Sequence, residues 1–201
     1  SQYMDLSVLI PSGSKGEYSE ALIWKNFWTI SETEELLSTI ENEGILYRIL
    51  ADNCLEVMKK ATSYSGNISI PSTITYNNKQ YTVVSIGEAF KGCSSLTSVS
   101  LPSSIEMLNN NCFKDCKNLI DVKISEGLKQ IPVSAFENCT SLTGINLPNS
   151  IETIMAAAFK GCSSLERFSS PSALVKIDDE VFSNCISLKD FQCDENLSSL
   201  G

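Results

Sequence analysis

The apolar positions of this chain fall into columns. Phe90, Phe113, Phe136, Phe159 and Phe182 stand 23 residues apart, as do Cys93, Cys116, Cys139, Cys162 and Cys185, and Leu96, Leu119, Leu142, Leu165 and Leu188. A second apolar pair recurs in the same period, at Ile105/Leu108, Leu128/Ile131, Ile151/Ile154, Leu174/Ile177 and Leu197/Leu200. One such unit cannot bury its own apolar side, so the pattern predicts a solenoid in which each coil stacks on the next and equivalent positions form ladders through the core. The Leu-x-x-Val-x-Leu edge, with Val99, Val122, Ile145, Phe168 and Phe191 turned inward, predicts a parallel strand ladder spaced by about 4.8 Å per coil. The Ala-Phe-x-x-Cys segment predicts a 3₁₀ turn or a single α-turn on the opposite side.

Upstream of Val83 the pattern changes. Ile68 to Ile74 matches Val99 to Ile105 position for position, which makes it an earlier coil. Its successor arrives after an insertion containing Tyr76-Asn77-Asn78-Lys79, a hairpin turn by composition. Ile45, Tyr47 and Ile49 alternate with Leu46, Arg48 and Leu50, Ala51-Asp52-Asn53 supply a turn, and Leu55 and Val57 resume, which predicts a β-hairpin. Ser31 with Glu34 offers a capping box ahead of Leu36, Leu37 and Ile40, predicting a short acidic helix or linker over 31–43. Val8 to Pro11 has the spacing of one more strand, and Tyr18 to Phe27 reads as a cap helix in which Trp24 or Trp28 is buried. Three segments result: 1–43, a cap-like segment and linker; 44–80, the hairpin and zeroth coil; and 81–201, the regular repeats. The pattern calls for another Phe beyond Gly201, so the last coil reads as cut, its end covered by further chain or by another molecule.

Composition narrows the function classes. With 42% hydrophobic residues and no stretch of roughly 20 apolar residues, the chain reads as soluble, without a transmembrane segment. A formal charge of −9 argues against nucleic acid, whose phosphates call for lysine and arginine clusters. The absence of histidine removes Ser-His and Cys-His pairs, histidine bases and histidine metal ligands. Five of the eight cysteines share one column, which suits core packing better than disulfides, and a line of thiols does not make the tetrahedron that zinc requires. Ser12 and Lys15 match Ser-x-x-Lys without its companion motifs, and a turn explains them. Asp178-Asp179-Glu180 lacks a calcium loop around it. Asn67, Asn138 and Asn196 begin N-glycosylation patterns, which carry little weight if the source is bacterial. The expectation is a non-enzymatic protein without cofactor or metal.

The columns Leu-x-x-Val-x-Leu-Pro, Ile-x-x-Ile and Ala-Phe-x-x-Cys at this period resemble the BspA-type, or Treponema pallidum-type, leucine-rich repeat over about residues 66–201. The hairpin region from Gly44 through Ile74 resembles the lead-in that precedes such arrays. Residues 6–30 resemble the segment that closes bacterial arrays, so the chain reads as an excerpt spanning the end of one array and the start of another. The resemblance implies a curved, right-handed solenoid, export to the bacterial cell surface, and binding of host or neighbouring-cell proteins. In such a coil the residues flanking the inward Val99 column point to the concave face. One row there is Ser98, Asp121, Gly144, Arg167 and Asp190, and the next is Ser100, Lys123, Asn146, Ser169 and Gln192. These rows are the candidate binding surface for an extracellular protein or glycan, with a merely solvated face as the competing account. The alternative function is a structural spacer or a surface scaffold that associates end to end.

Overall fold

The computed structural model describes residues 39–193 and 195–201. The expectations placed on Val8–Pro11, Ser12 and Lys15, Tyr18–Phe27 with its tryptophans, and the capping box of Ser31 and Glu34 lie outside the described residues. Residues 39–42, expected within a helix or linker, are instead strand β1 (Thr39–Asn42). It pairs antiparallel with β2 (Ile45–Ile49), Ile40 opposite Tyr47. Ile40 alone faces the core while Thr39 and Glu41 are exposed, a two-residue alternation that the leucines upstream disguise as helical spacing. Glu43 and Gly44, both with positive φ (49° and 75°), close the hairpin in the left-handed geometry that matches strand twist.

β3 (Cys54–Val57) returns antiparallel to β2 across the Ala51–Asn53 turn. β4 (Gly66–Ser69) belongs to the zeroth coil, and β5 (Thr73–Tyr76) and β6 (Lys79–Ile86) form a second hairpin around Asn77 and Asn78, left-handed at φ 50° and 61°. β6 also pairs in parallel with β3, so the lead-in and the array share one sheet.

From here each coil has three sides. On the strand side, β4, β7 (Leu96–Leu101) and β9 (Asp121–Ile124) run parallel, with Ile68, Val99 and Val122 in register. On the outer side, β8 (Met107–Leu108) joins β6, and β10 (Gln130–Ile131) begins a new ladder with β11 (Thr153–Ile154). Back on the strand side, β12 (Arg167–Ser169) pairs only with β14 (Asp190–Gln192). The outer ladder extends through β13 (Lys176–Ile177) to β15 (Ser199–Leu200). The uninterrupted strand ladder expected from the sequence is therefore broken: residues 143–147 form no strand.

The third side carries the Ala-Phe-x-x-Cys segments. As expected they turn tightly, through single i to i+3 bonds of the 3₁₀ kind such as Cys93 N–H to Phe90 O (2.9 Å), and these alternate with bonds to the next coil. Phe113 N–H reaches Ala135 O at 2.9 Å, and Phe136 N–H reaches Ala158 O at 2.8 Å. Left-handed residues stop any helix from propagating. Gly92, Asp115, Asn138, Gly161 and Asn184 form one such column, and Asn111, Ser134, Ala157 and Glu180 a second. Glycine has no Cβ to clash there, and Asn and Asp tolerate the conformation best among the others. The first coil has one residue fewer between Ile86 and Phe90, and only its Gly92 is left-handed.

The core runs continuously from Ile40 to Val181. The phenylalanine rings stack nearly parallel, with centroids 5.1 Å apart for Phe90/Phe113 and Phe113/Phe136, 5.3 Å for Phe136/Phe159 and 5.7 Å for Phe159/Phe182. Tyr64 tilts over Phe90 and closes the upstream end of the stack. The cysteines do more than fill space. From Cys116 onward each thiol of the column donates to the phenylalanine carbonyl one coil back: Cys116 to Phe90 (2.9 Å), Cys139 to Phe113 (3.1 Å), Cys162 to Phe136 (3.1 Å) and Cys185 to Phe159 (3.2 Å). All eight cysteines are free. At the junction of lead-in and array, buried Glu56 pairs with Arg48 and accepts hydrogen bonds from Ser85 Oγ (3.2 Å) and Asn109 Nδ2 (3.1 Å). A buried carboxylate needs such partners, and these three come from β2, β6 and the first coil, which pins their relative positions.

Candidate binding face

Strand geometry turns alternate residues to opposite sides, so an inward Val99 column obliges its flanking residues to face outward. Val99 and Val122 are buried, while Asp121 and Lys123 on either side of Val122 are exposed. Ser98 lies opposite Asp121 and Ser100 opposite Lys123, and further along Arg167 lies opposite Asp190 and Ser169 opposite Gln192. Ser98 and Ser100 are half-buried; Asn146, Arg167, Ser169, Asp190 and Gln192 are exposed. The two rows therefore form two in-register patches of one strand side, separated by the unpaired segment that carries Gly144 and Asn146.

A neighbouring row, left out of the sequence reading, belongs to the same surface. It comprises Thr97, Ile120, Thr143, Glu166 and Lys189, each directly after the buried leucine column or its first neighbour in the strand entry. The signal was available in the fixed offset from Leu96, Leu119, Leu142, Leu165 and Leu188. Ile120 is 53% exposed and is the large apolar side chain on this stretch of surface. Upstream, Asn67 Oδ1 accepts from Thr97 Oγ1 (2.8 Å) and Ser98 Oγ (2.9 Å), tying the zeroth coil to the row.

Charge is handled differently on the different sides of the coil. On the turn side, charged and polar groups pair across neighbouring coils: Lys114 with Glu137 (2.8 Å), Asn138 with Asp115 (2.9 Å), and Lys160 with Glu180. On the outer side Lys129 pairs with Glu152 (2.7 Å), and Glu126 accepts the backbone N–H groups of Asn149 and Ser150 (both 3.1 Å). On the strand side, the side chains of Asp121, Lys123 and Arg167 make no hydrogen bond or ion pair with any described residue, and the Asp190 carboxylate accepts only from Gln192 two residues on (3.1 Å). These four side chains sum to zero charge on a chain whose formal charge is −9.

Burial raises the thiols of Cys116 and Cys162 from an ordinary value of 9.0 to about 12, and like-charge neighbours in the column add to it. Such thiols are protonated packing groups rather than nucleophiles. Among the described residues, no group of three or more cysteine, aspartate or glutamate side chains is arranged to hold a metal ion, and no helix is long and apolar enough to cross a membrane.

Comparison with known proteins places these observations. Residues 84–201 match the model of the BspA type leucine rich repeat region, in six copies. A leucine-rich repeat protein from Bacteroides ovatus is 30% identical, with a TM-score of 0.68 over 77% of this chain and 40% of that one. The leucine-rich repeat protein of T. pallidum is 29% identical, also with a TM-score of 0.68, over 76% of this chain and 70% of that one. A leucine-rich cell surface protein from Faecalibacterium prausnitzii is 26% identical, with a TM-score of 0.66 over 79% of this chain and 43% of that one. The chain thus spans less than half the length of the first and third of these structures. Comparison with curated proteins returned no match. The repeat match covers more than half of the sequence, and the chain belongs to the BspA-type leucine-rich repeat family.

Proposed function

We propose that this chain is a non-catalytic binding module of a bacterial cell-surface protein, engaging an extracellular protein or glycan through its strand side. One observation carries the reading. Most charges on the turn and outer sides, Glu106, Lys117 and Asp179 excepted, have partners within the array, whereas the side chains of Asp121, Lys123 and Arg167 on the strand side have none. A surface charge gains little from a neighbour in water, so the pairing elsewhere serves coil registry, and the unpaired row is left to meet a partner of complementary charge. The family is one of interaction modules, and a related structure is that of a cell surface protein.

The test is a binding screen of the chain against extracellular-matrix proteins and host glycans, beside a variant with Asp121, Lys123, Arg167 and Asp190 all replaced by alanine. The expected result is binding by the parent chain that is lost in the variant. Binding retained by a folded variant refutes the assigned face. Silence from both chains counts against the module reading and favours a spacer.

A further inference from the structure

We propose that Thr143–Leu147 is a hinge within the array, a place where the strand side widens or narrows while the other two sides of the coil stay stitched together. The proposal goes beyond the binding role and does not depend on it. Its basis is the distribution of hydrogen bonds around one coil. Of all the backbone groups in residues 143–147, one is bonded: Thr143 O accepts from Glu166 N–H at 3.1 Å. β9 upstream pairs only backwards, with β7, and β12 downstream pairs only forwards, with β14. The two successive coil interfaces flanking this segment are therefore both open on the same side.

The same coil is tied to both neighbours everywhere else. Its outer strand β11 pairs with β10 on one side and β13 on the other. Its turn accepts Ser134, Phe136 and Asn138 N–H groups from the coil before, and donates Ala157, Phe159 and Gly161 N–H groups to the coil after. Two sides thus act as a pivot and the third is free to move. The gap between β8 and β10 is different in kind, since the strand side is paired there through β7 and β9.

Two sequence features account for the opening. Gly144 stands in the row otherwise held by Ser98, Asp121, Arg167 and Asp190, and glycine within a strand brings no cross-strand side-chain contact and a larger conformational entropy to lose. A Cβ built on Gly144 would meet nothing within 4 Å, so its surroundings are open. The column expected to face inward also changes character here, from buried Val99 and Val122 to buried Phe168 and to Phe191, which against that expectation is 42% exposed; the two rings lie 5.3 Å apart. Ile145 sits between the two regimes and is 8% exposed, against 2% for Val122 and 1% for Phe168. Backbone groups without partners and looser packing are the properties of segments that open at low cost.

Two measurements on the wild-type chain and its labelled derivatives test this. Amide hydrogen exchange is expected to show protection at Ile145, Asn146 and Leu147 at least about tenfold below that of Ser98 to Leu101 in the doubly paired β7. Equal protection of the two segments overturns the proposal. Spin labels carried on non-natural amino acids, which avoid the native thiols, are placed at Lys123 and Ser169 across the hinge. A second pair at Gln130 and Lys176 spans the same coils on the outer side. A broader distance distribution for the strand-side pair is expected. Equal widths for the two pairs overturn the hinge even if exchange is fast, because fast exchange alone would then mean exposed amides on a rigid frame.

Discussion

Replacing Phe136 by alanine strikes the middle of the ring stack. The side chain is fully buried and lies between Phe113 at 5.1 Å and Phe159 at 5.3 Å, both nearly parallel to it. Truncating a buried phenylalanine costs about 3–5 kcal/mol, from lost transfer energy and the cavity left behind. Two ring contacts, each worth roughly 0.5–1.5 kcal/mol, vanish together, which puts the expected loss near the top of that range, at about 4–5 kcal/mol. Relaxation of the neighbours is limited, because the carbonyls of Phe113 and Phe136 are themselves held by the thiols of Cys139 and Cys162. In a stack where each coil contacts only its neighbours, the loss weakens two interfaces at once. The assay is urea unfolding followed by circular dichroism. With an m-value of about 2 kcal/mol per molar, the midpoint falls by about 2 M. The surface control, Asp121→Ala, is expected to cost about 0.5 kcal/mol or less. Phe182→Ala, at a half-buried position, should fall between the two. Equal midpoints for Phe136→Ala and Asp121→Ala would refute the assignment of inside and outside on which the fold rests.

Two further outcomes follow from backbone and thiol chemistry. Ala157 occupies a left-handed position (φ 57°) where its equivalents one coil to either side are Ser134 and Glu180, so Ala157→Gly relieves the Cβ conflict and is expected to raise stability by roughly 0.5–1 kcal/mol, read as a higher Tm. Burial raises Cys116 and Cys162 to about 12 and Cys185 to about 11, against 9.0 ordinarily. Above pH 9 the unfolded chain therefore loses protons that the native chain keeps, so stability is full below pH 9 and declines from there toward pH 12. A pH series of unfolding midpoints reads it, and a flat profile between pH 9 and 11 contradicts the burial of the column.

The period, the three core columns and the hairpins β2–β3 and β5–β6 were legible because each rests on side-chain type at a fixed offset or in a turn. Asn77-Asn78 announced a tight turn, and both residues are left-handed. Strand β1 was not legible, since Leu36, Leu37 and Ile40 fit helical spacing, while the pairing that makes Ile40 a strand residue comes from Tyr47. The left-handed column of Gly92, Asp115, Asn138, Gly161 and Asn184 was visible in composition and was passed over, because the turn around it was read as a helical one. The break at 143–147 left signals in the sequence, Gly144 in the strand row and the change from Val122 to Phe168 in its neighbouring column, but whether they open the ladder depends on how three successive coils seat against one another. The binding rows were half legible. Offsets identified which side chains face out, but the difference between paired and unpaired charge appears only when coils are set side by side.

The ring stack and the thiol-to-carbonyl bonds reach from each coil to the one before or after it by the same vector, as in Phe113 to Phe136 and Cys139 to Phe113. Any coil presents the same docking surface to its neighbours, wherever along the 23-residue unit the join is made. Removing or duplicating one whole unit leaves every such bond with an equivalent partner, whereas a change of one residue has to be absorbed in a turn, as the shorter step from Ile86 to Phe90 is, where Phe90 still stacks on Phe113 at 5.1 Å. Length in this architecture is quantised: the gene that encodes it can grow or shrink by whole repeats, through slippage or recombination between similar copies, without passing through an unfolded intermediate design.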